Sequence, residues 1–212
     1  MRSVKLRWRR LAVGVAALLV CGGLVGWFLC GRPDPNEPVY NGRKVSHWIR
    51  HSLRVVPLAN PGRAVRYVFA SSENYPYEEF DSNALPYLVK ALEPRADGTG
   101  NGWLRIWLKL PGWFQRRFPA PIPVAAIQEQ VIETLERMGK KAGPAIPNVI
   151  AFSKREETRE FAVTVVDCLA GIDKSDPRVH EFLVEAAKDT NASVRIEAVK
   201  QLEGLPAIEL AP

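Results

Sequence analysis

Few residues in this chain have types and spacings that could carry chemistry. His47 and His51 stand four apart, in "HWIRH", and so share a face if the segment is helical. Two histidines at that spacing can grip one metal ion. The segment lacks the glutamate of H-E-x-x-H, the third histidine is His180, and Arg50 and Arg54 lie close by and repel a cation. Glu78, Glu79 and Asp81 cluster in "ENYPYEEFDSN" and could serve acid–base work or a cation. No glycine-framed ligand spacing surrounds them, and a solvated loop is expected. Glu156, Glu157 and Glu160, beside Arg155 and Arg159, look like a charged first helical turn. Cys21 and Cys30 fall in an apolar run. Cys168 is left as a lone buried apolar residue without a disulfide partner. No G-x-S-x-G, C-x-x-C or phosphate-cradling glycine loop occurs. The expectation is a protein that is not an enzyme, with no catalytic residue, cofactor or metal.

A different chemistry is concentrated in "NGWLRIWLKLPGWFQRRFP", residues 101–119. Helical spacing puts Trp103, Ile106, Trp107 and Leu110 on one face, with Arg105 and Lys109 opposite. Pro111-Gly112 then breaks the helix, and Trp113, Phe114 and Phe118 follow. The bland expectation is an extra helix with buried aromatics. The sharper one is a contact surface for a protein partner or a lipid headgroup layer. Its candidate residues are Trp103, Trp107, Trp113, Phe114, Arg105 and Lys109.

Charge distribution argues against nucleic acid. The formal charge of the 212-residue chain is +6, but Arg2, Lys5, Arg7, Arg9 and Arg10 supply five positive charges before residue 11. Of 29 Lys and Arg, 24 therefore remain against 23 Asp and Glu. A near-neutral body lacks the footprint of a duplex binder.

Behind that basic tail (1–10), Leu11 to Gly31 is a run of 21 uncharged residues. At ~1.5 Å per residue it spans ~30 Å, about one hydrocarbon core. It exceeds the usual ~7–15-residue core of a signal peptide, and no A-x-A site closes it. We expect an uncleaved single-pass anchor at 11–31. The basic flank keeps the N-terminus cytoplasmic and places the body across the membrane, in the periplasm of a Gram-negative cell. A cleaved signal is the competing expectation. "GRPDPNEP" begins a stiff linker at 32–39.

From residue 40 onward the pattern is helical, with no convincing alternating strand. "IQEQVIETL", "FAVTVVDCL" and "VRIEAVKQL" align at offsets of 34 and 33. Ile127, Phe161 and Val194 correspond, as do Ile132, Val166 and Val199, and Leu135, Leu169 and Leu202. "AIPNVIAF" matches "RVHEFLVEAA", and an earlier copy is "ALPYLVKAL". The longer offset of 61 between that copy and "AIPNVIAF" implies an insertion at about 94–121, which holds the aromatic stretch. A helix pair cannot hide its apolar stripe alone, and a period near 34 suits stacked helix pairs.

These residues also carry a family resemblance. "KSDPRVHEFLVEAAKDTNASVRIEAVKQL" resembles HEAT-type repeats. "YNGRKVSHWI", "NALPYLVKAL" and "LERMGKKAGPAIPNVI" are similar to segments of membrane-anchored HEAT-repeat proteins of the Verrucomicrobia and relatives. The resemblance spans about residues 40 to 202, with Arg43 where lysine is usual and a long loop at Ser71 to Asp81. It implies an all-α fold: a HEAT-like α-solenoid over 40–212, preceded by one transmembrane helix. It implies no cofactor. Within "YNGRKVSHWI", Gly42 permits a turn and Ser46 can cap the next helix. Trp48, Ile49 and Leu53 can close the stack, and a substrate-recognition role for Tyr40 and Trp48 is the rival. Asp167 and Asp173 invite comparison with HEAT-like DNA glycosylases, which need a basic concave face that this chain's charge does not supply. The expected function is a membrane-tethered, non-catalytic scaffold for an unidentified protein partner or envelope component. The alternatives are a HEAT-like lyase or enzyme subunit, similar to those that handle bilins, and a lipid-surface binding protein.

Overall fold

The computed structural model describes residues 35–51, 53–57, 65–69, 76–93, 99–117 and 121–203, with backbone only at 51, 53–57, 65–69, 99–103 and 116. The expected basic tail and anchor at 11–31, and residues 32–34 of the linker, lie outside these residues. No helix among the described residues is long and apolar enough to cross a membrane.

Helix predominates, as expected, but strands are present too. The chain opens with a two-residue hairpin, β1 (Val39–Tyr40) against β2 (Arg43–Lys44), with Tyr40 opposite Arg43. Asn41 (φ 49°) and Gly42 (φ 73°) form its turn. Asn-Gly is the pair that tolerates two successive left-handed residues, and such turns match the twist of paired strands. Helix α1 (Val45–His51) follows directly, so Ser46 lies inside its first turn rather than at its cap. The expected absence of strands fails again next. β3 (Leu53–Pro57) and β4 (Val65–Phe69) form an antiparallel hairpin, with Leu53 opposite Phe69. Leu53 therefore starts a strand and does not extend α1. Both segments, "LRVVP" and "VRYVF", are β-branched and aromatic-rich, but each is too short to show a clear period.

The helices then follow the repeats. Helix α2 (Leu85–Leu92) is "LPYLVKAL". Helices α3 (Thr99–Lys109) and α4 (Gly112–Arg117) occupy the insertion. Helix α5 (Val124–Met138) leads through a 3-10 segment, Gly139–Ala145, to α6 (Ile146–Ser153). A second 3-10 segment, Glu156–Phe161, leads to α7 (Ala162–Asp173), and then come α8 (Pro177–Ala186) and α9 (Ala192–Leu202). Prolines at the first turns of α2, α6 and α8 give up no hydrogen bond that a helix interior needs. Gly139 ends α5 at φ 56°, a conformation that costs glycine nothing. Asp176 and Asn191 cap α8 and α9 by accepting from the backbone N–H of Arg178 and Ser193.

Packing runs in series. Helix α5 lies against α1 and α7, and α7 lies against α9. On the other side α2 touches α6, and α6 touches α8. Helix α7 also packs on α8, and the 3-10 segment Gly139–Ala145 packs on both α5 and α6. One continuous core results, from Val45 and Leu88 through Leu135 and Leu169 to Leu183 and Ala198. The aligned residues Ile132 and Val166 are completely buried, whereas Val199 is 48% exposed. Among the described residues no further helix covers α9 on that side. Ile196, at 69% exposed, sits on the same helix.

The charged segment 156–161 also departs from expectation. It is a 3-10 turn ahead of α7 and pairs Arg159 with Glu156 at 3.5 Å, three residues apart. Arg155 turns instead to the end of α2, donating to the Leu92 carbonyl at 2.8 Å.

Series packing predicts unequal costs at equivalent positions. Ile132→Ala should destabilise by about 2–5 kcal/mol, as truncations of a fully buried isoleucine do. Val199→Ala should stay within about 0.5 kcal/mol. Urea unfolding of the two variants checks this; equal losses would show that the last helix is covered as the inner ones are.

Candidate functional site

The first two candidate sites become structural fasteners. The Tyr40 hydroxyl donates to Asp81 Oδ1, and Asn41 Nδ2 donates to Glu79 Oε1 at 3.0 Å. Lys141 Nζ donates to the Glu78 carbonyl at 2.8 Å. Glu79 and Asp81, expected to be solvated, thus tie the opening hairpin to the loop before α2. Tyr40 stacks edge-on against the buried Phe80, with centroids 4.8 Å apart. Partial burial, and the hydrogen bond to Asp81, push the Tyr40 phenol up to about 12, while that hydrogen bond holds Asp81 below its usual range. The Trp48 indole N–H donates to the Tyr40 carbonyl at 2.8 Å, and Arg43 lies over the Trp48 ring at 5.6 Å. Tyr40 and Trp48 are thus engaged in joining the opening hairpin to α1 and to the loop before α2.

His47 Nε2 lies 2.9 Å from Arg43 Nη1. A permanent cation at that distance is a poor neighbour for a metal ion. The side chain of His51 is outside the described residues, and His180 sits on α8, far along the chain. Among the described residues no group of three or more His, Cys, Asp or Glu is placed to hold a metal. Cys168 is completely buried, and burial pushes its thiol well above the ordinary range, which suits a packing residue.

Unexpected is a carboxylate contact between α7 and α9. Gln201 Nε2 donates to Asp167 Oδ1 at 3.0 Å and to Glu197 Oε1 at 2.9 Å. Lys200 Nζ is 2.9 Å from the same Glu197 oxygen. Partial burial, then the adjoining Glu197, raise Asp167, while Lys200 and the contact with Asp167 lower Glu197. Glu136 of α5 is raised by burial and by the charge of Asp167. Its aliphatic stem lies over Gly171, where an added Cβ would come within 2.6 Å of Glu136 Cγ. Sequence could have signalled this contact. Asp167 and Gln201 lie 34 residues apart, one repeat period, so polar residues at that spacing meet on neighbouring helices. Asp173, the other aspartate singled out, accepts from the Ser175 backbone N–H and lies 3.9 Å from Lys140.

The aromatic insertion is arranged differently from its helical pattern. Ile106, expected beside Trp107, is 54% exposed and stands with exposed Arg105 and Lys109. Trp107 is only 6% exposed, so it supports the insertion from beneath and is no free contact residue. The side chain of Trp103 lies outside the described residues, as does Phe118. Trp113 is 65% exposed and meets the half-buried Phe114 edge-on at 5.8 Å. The Gln115 amide donates to the carbonyls of Leu110, Trp107 and Leu108 at 2.9, 3.1 and 3.3 Å. It closes the open end of α3 and sets α4 against it. Sequence periodicity could not show this staple, because it crosses the Pro111-Gly112 break.

Two shallow grooves line the turn side of α8, with Arg159, Glu185, Lys188 and Asp189 on their walls. Charges of both signs alternate there and converge on no point. Comparison of the chain with family models, with curated proteins and with solved structures finds no match.

A carboxyl whose folded value is raised costs stability once ionised. That cost is absent below the unfolded value and grows as pH rises through the folded one. Asp167→Asn, which keeps the Gln201 contact, should therefore stabilise the protein at neutral pH. Solvent screening holds the gain to a few tenths of a kcal/mol, at most ~1. The gain should fade below about pH 4, where aspartate is protonated in both states. Thermal melts across pH check this; a gain independent of pH would contradict a raised Asp167.

Proposed function

We propose that residues 40–202 form a HEAT-like α-solenoid acting as a non-catalytic scaffold, held at a membrane by residues 11–31 and presented outside the cytoplasm. The observation that carries this reading is the serial succession α1, α5, α7, α9 flanked by α2, α6, α8, with equivalent residues 34 and 33 apart. Chains built this way bury each stripe against the next unit and leave long faces for partners.

Three local features support the HEAT likeness. Arg195, of the valine-arginine pair, donates to the carbonyls of Asp189 and Thr190, both at 2.9 Å, while Asp189 accepts from the Asn191 backbone N–H. The pattern's aspartate and arginine thereby lock the turn between α8 and α9. The hairpin and Trp48 close the first end of the stack, as terminal units require. Prolines recur at the starts of α2, α6 and α8. The similarity to membrane-anchored HEAT-repeat proteins of the Verrucomicrobia and relatives adds to these. Tethering rests on the apolar run at 11–31 and its basic flank.

The scaffold's partner is a protein or envelope component outside the cytoplasm. Photo-crosslinking of the full chain in its native membrane should trap the same protein reproducibly, and the purified protein should carry no stoichiometric chromophore or metal. Bound chromophore or metal would favour the lyase reading, and a chain that traps no protein would overturn the scaffold.

A further inference from the structure

We propose that the α3–α4 hairpin is a second membrane contact, lying flat in the headgroup layer of an anionic bilayer. It goes beyond the scaffold reading and stands on the hairpin alone.

Arg105, Ile106 and Lys109 fall at i, i+1 and i+4, within about 100° of the helix circumference. All three are exposed. Trp113 and Arg117 are four apart on α4 and both are exposed. The hairpin thus offers two bulky apolar side chains set among cations. Trp107 is buried beneath this outer face, and the three Gln115 hydrogen bonds fix the angle between the helices. An exposed tryptophan held rigidly loses little freedom on insertion.

Charge selects the occupant. Between Thr99 and Pro123 the chain has Arg105, Lys109, Arg116 and Arg117 and no acidic residue. Among the described residues, no ion pair or hydrogen bond engages the side chains of Arg105, Lys109 or Arg117. Among the described residues their charges are unspent. A nucleic acid would need this patch to continue over a body that carries 24 Lys and Arg against 23 acids beyond the tail. A lipid surface needs only the local patch. Tryptophan with long basic side chains matches a headgroup layer, where the ring and alkyl stems reach the acyl boundary while the charges stay among phosphates. Helices of 11 and 6 residues are far too short to cross ~30 Å of hydrocarbon, so they lie in the plane.

The test places the photo-crosslinker p-benzoylphenylalanine at Trp113 of the full chain. A second chain carries it at Ile196, which is equally exposed but on α9. Each is reconstituted with phosphatidylcholine vesicles, with and without phosphatidylglycerol, floated and irradiated. Lipid adducts should form at 113, should increase several-fold with phosphatidylglycerol, and should be scarce at 196. Arg105→Glu with Lys109→Glu should remove most of that increase. Flotation without lipid adducts at 113, or adducts to protein instead, would overturn this contact and leave the tether standing. Failure to float would overturn the contact and the tether together.

Discussion

An amphipathic helix of eight to fifteen residues, the range of the repeat helices here, cannot hide its apolar stripe against itself. Everything else in this fold answers that constraint. Helices α5 and α7 each meet a neighbour on both sides, and their aligned leucines, Leu135 and Leu169, are completely buried. The row needs a different solution at its ends. At the first end the Asn41-Gly42 hairpin, Tyr40, Trp48 and the loop carrying Asp81 form a small polar and aromatic closure. At α9 the stripe stays partly open, with Ile196 and Val199 exposed.

Polar residues are placed by the same period. The spacing that brings leucines together also brings Gln201, 34 residues on, to Asp167, with Glu197 and Glu136 close by. Two carboxylates facing each other would repel, and Gln201 and Lys200 relieve that by donating to the pair. Gly171 leaves room for the Glu136 stem, so α5 and α7 approach closely at that level.

Much of this was legible in the residues. Helical periodicity located α2, α6, α8 and α9 to within two residues at each end, because each has apolar positions at fixed spacing and a proline or Asx residue near an end, whereas α5 and α7 run three to four residues past the recognised repeats. Gly42 was recognisable as a turn for the same reason. What escaped was what periodicity cannot encode. The strands 53–57 and 65–69 are too short to show alternation. Ile106 follows the apolar pattern of its helix, yet it is exposed while its neighbour Trp107 is buried. Glu79 and Asp81 resemble solvated acids until the hairpin, 38 to 41 residues earlier, supplies their donors. Contacts across such separations depend on the tertiary fold.

Serial packing of α5 on α7, with α9 one step further, is tested most directly by cysteine pairing. With the native cysteines replaced by alanine, Glu136→Cys with Gly171→Cys should oxidise readily to an intrachain disulfide, since the two positions already touch. Glu136→Cys with Gln201→Cys should not, because α7 lies between. A disulfide between 136 and 201, or none between 136 and 171, would contradict helices arranged in series.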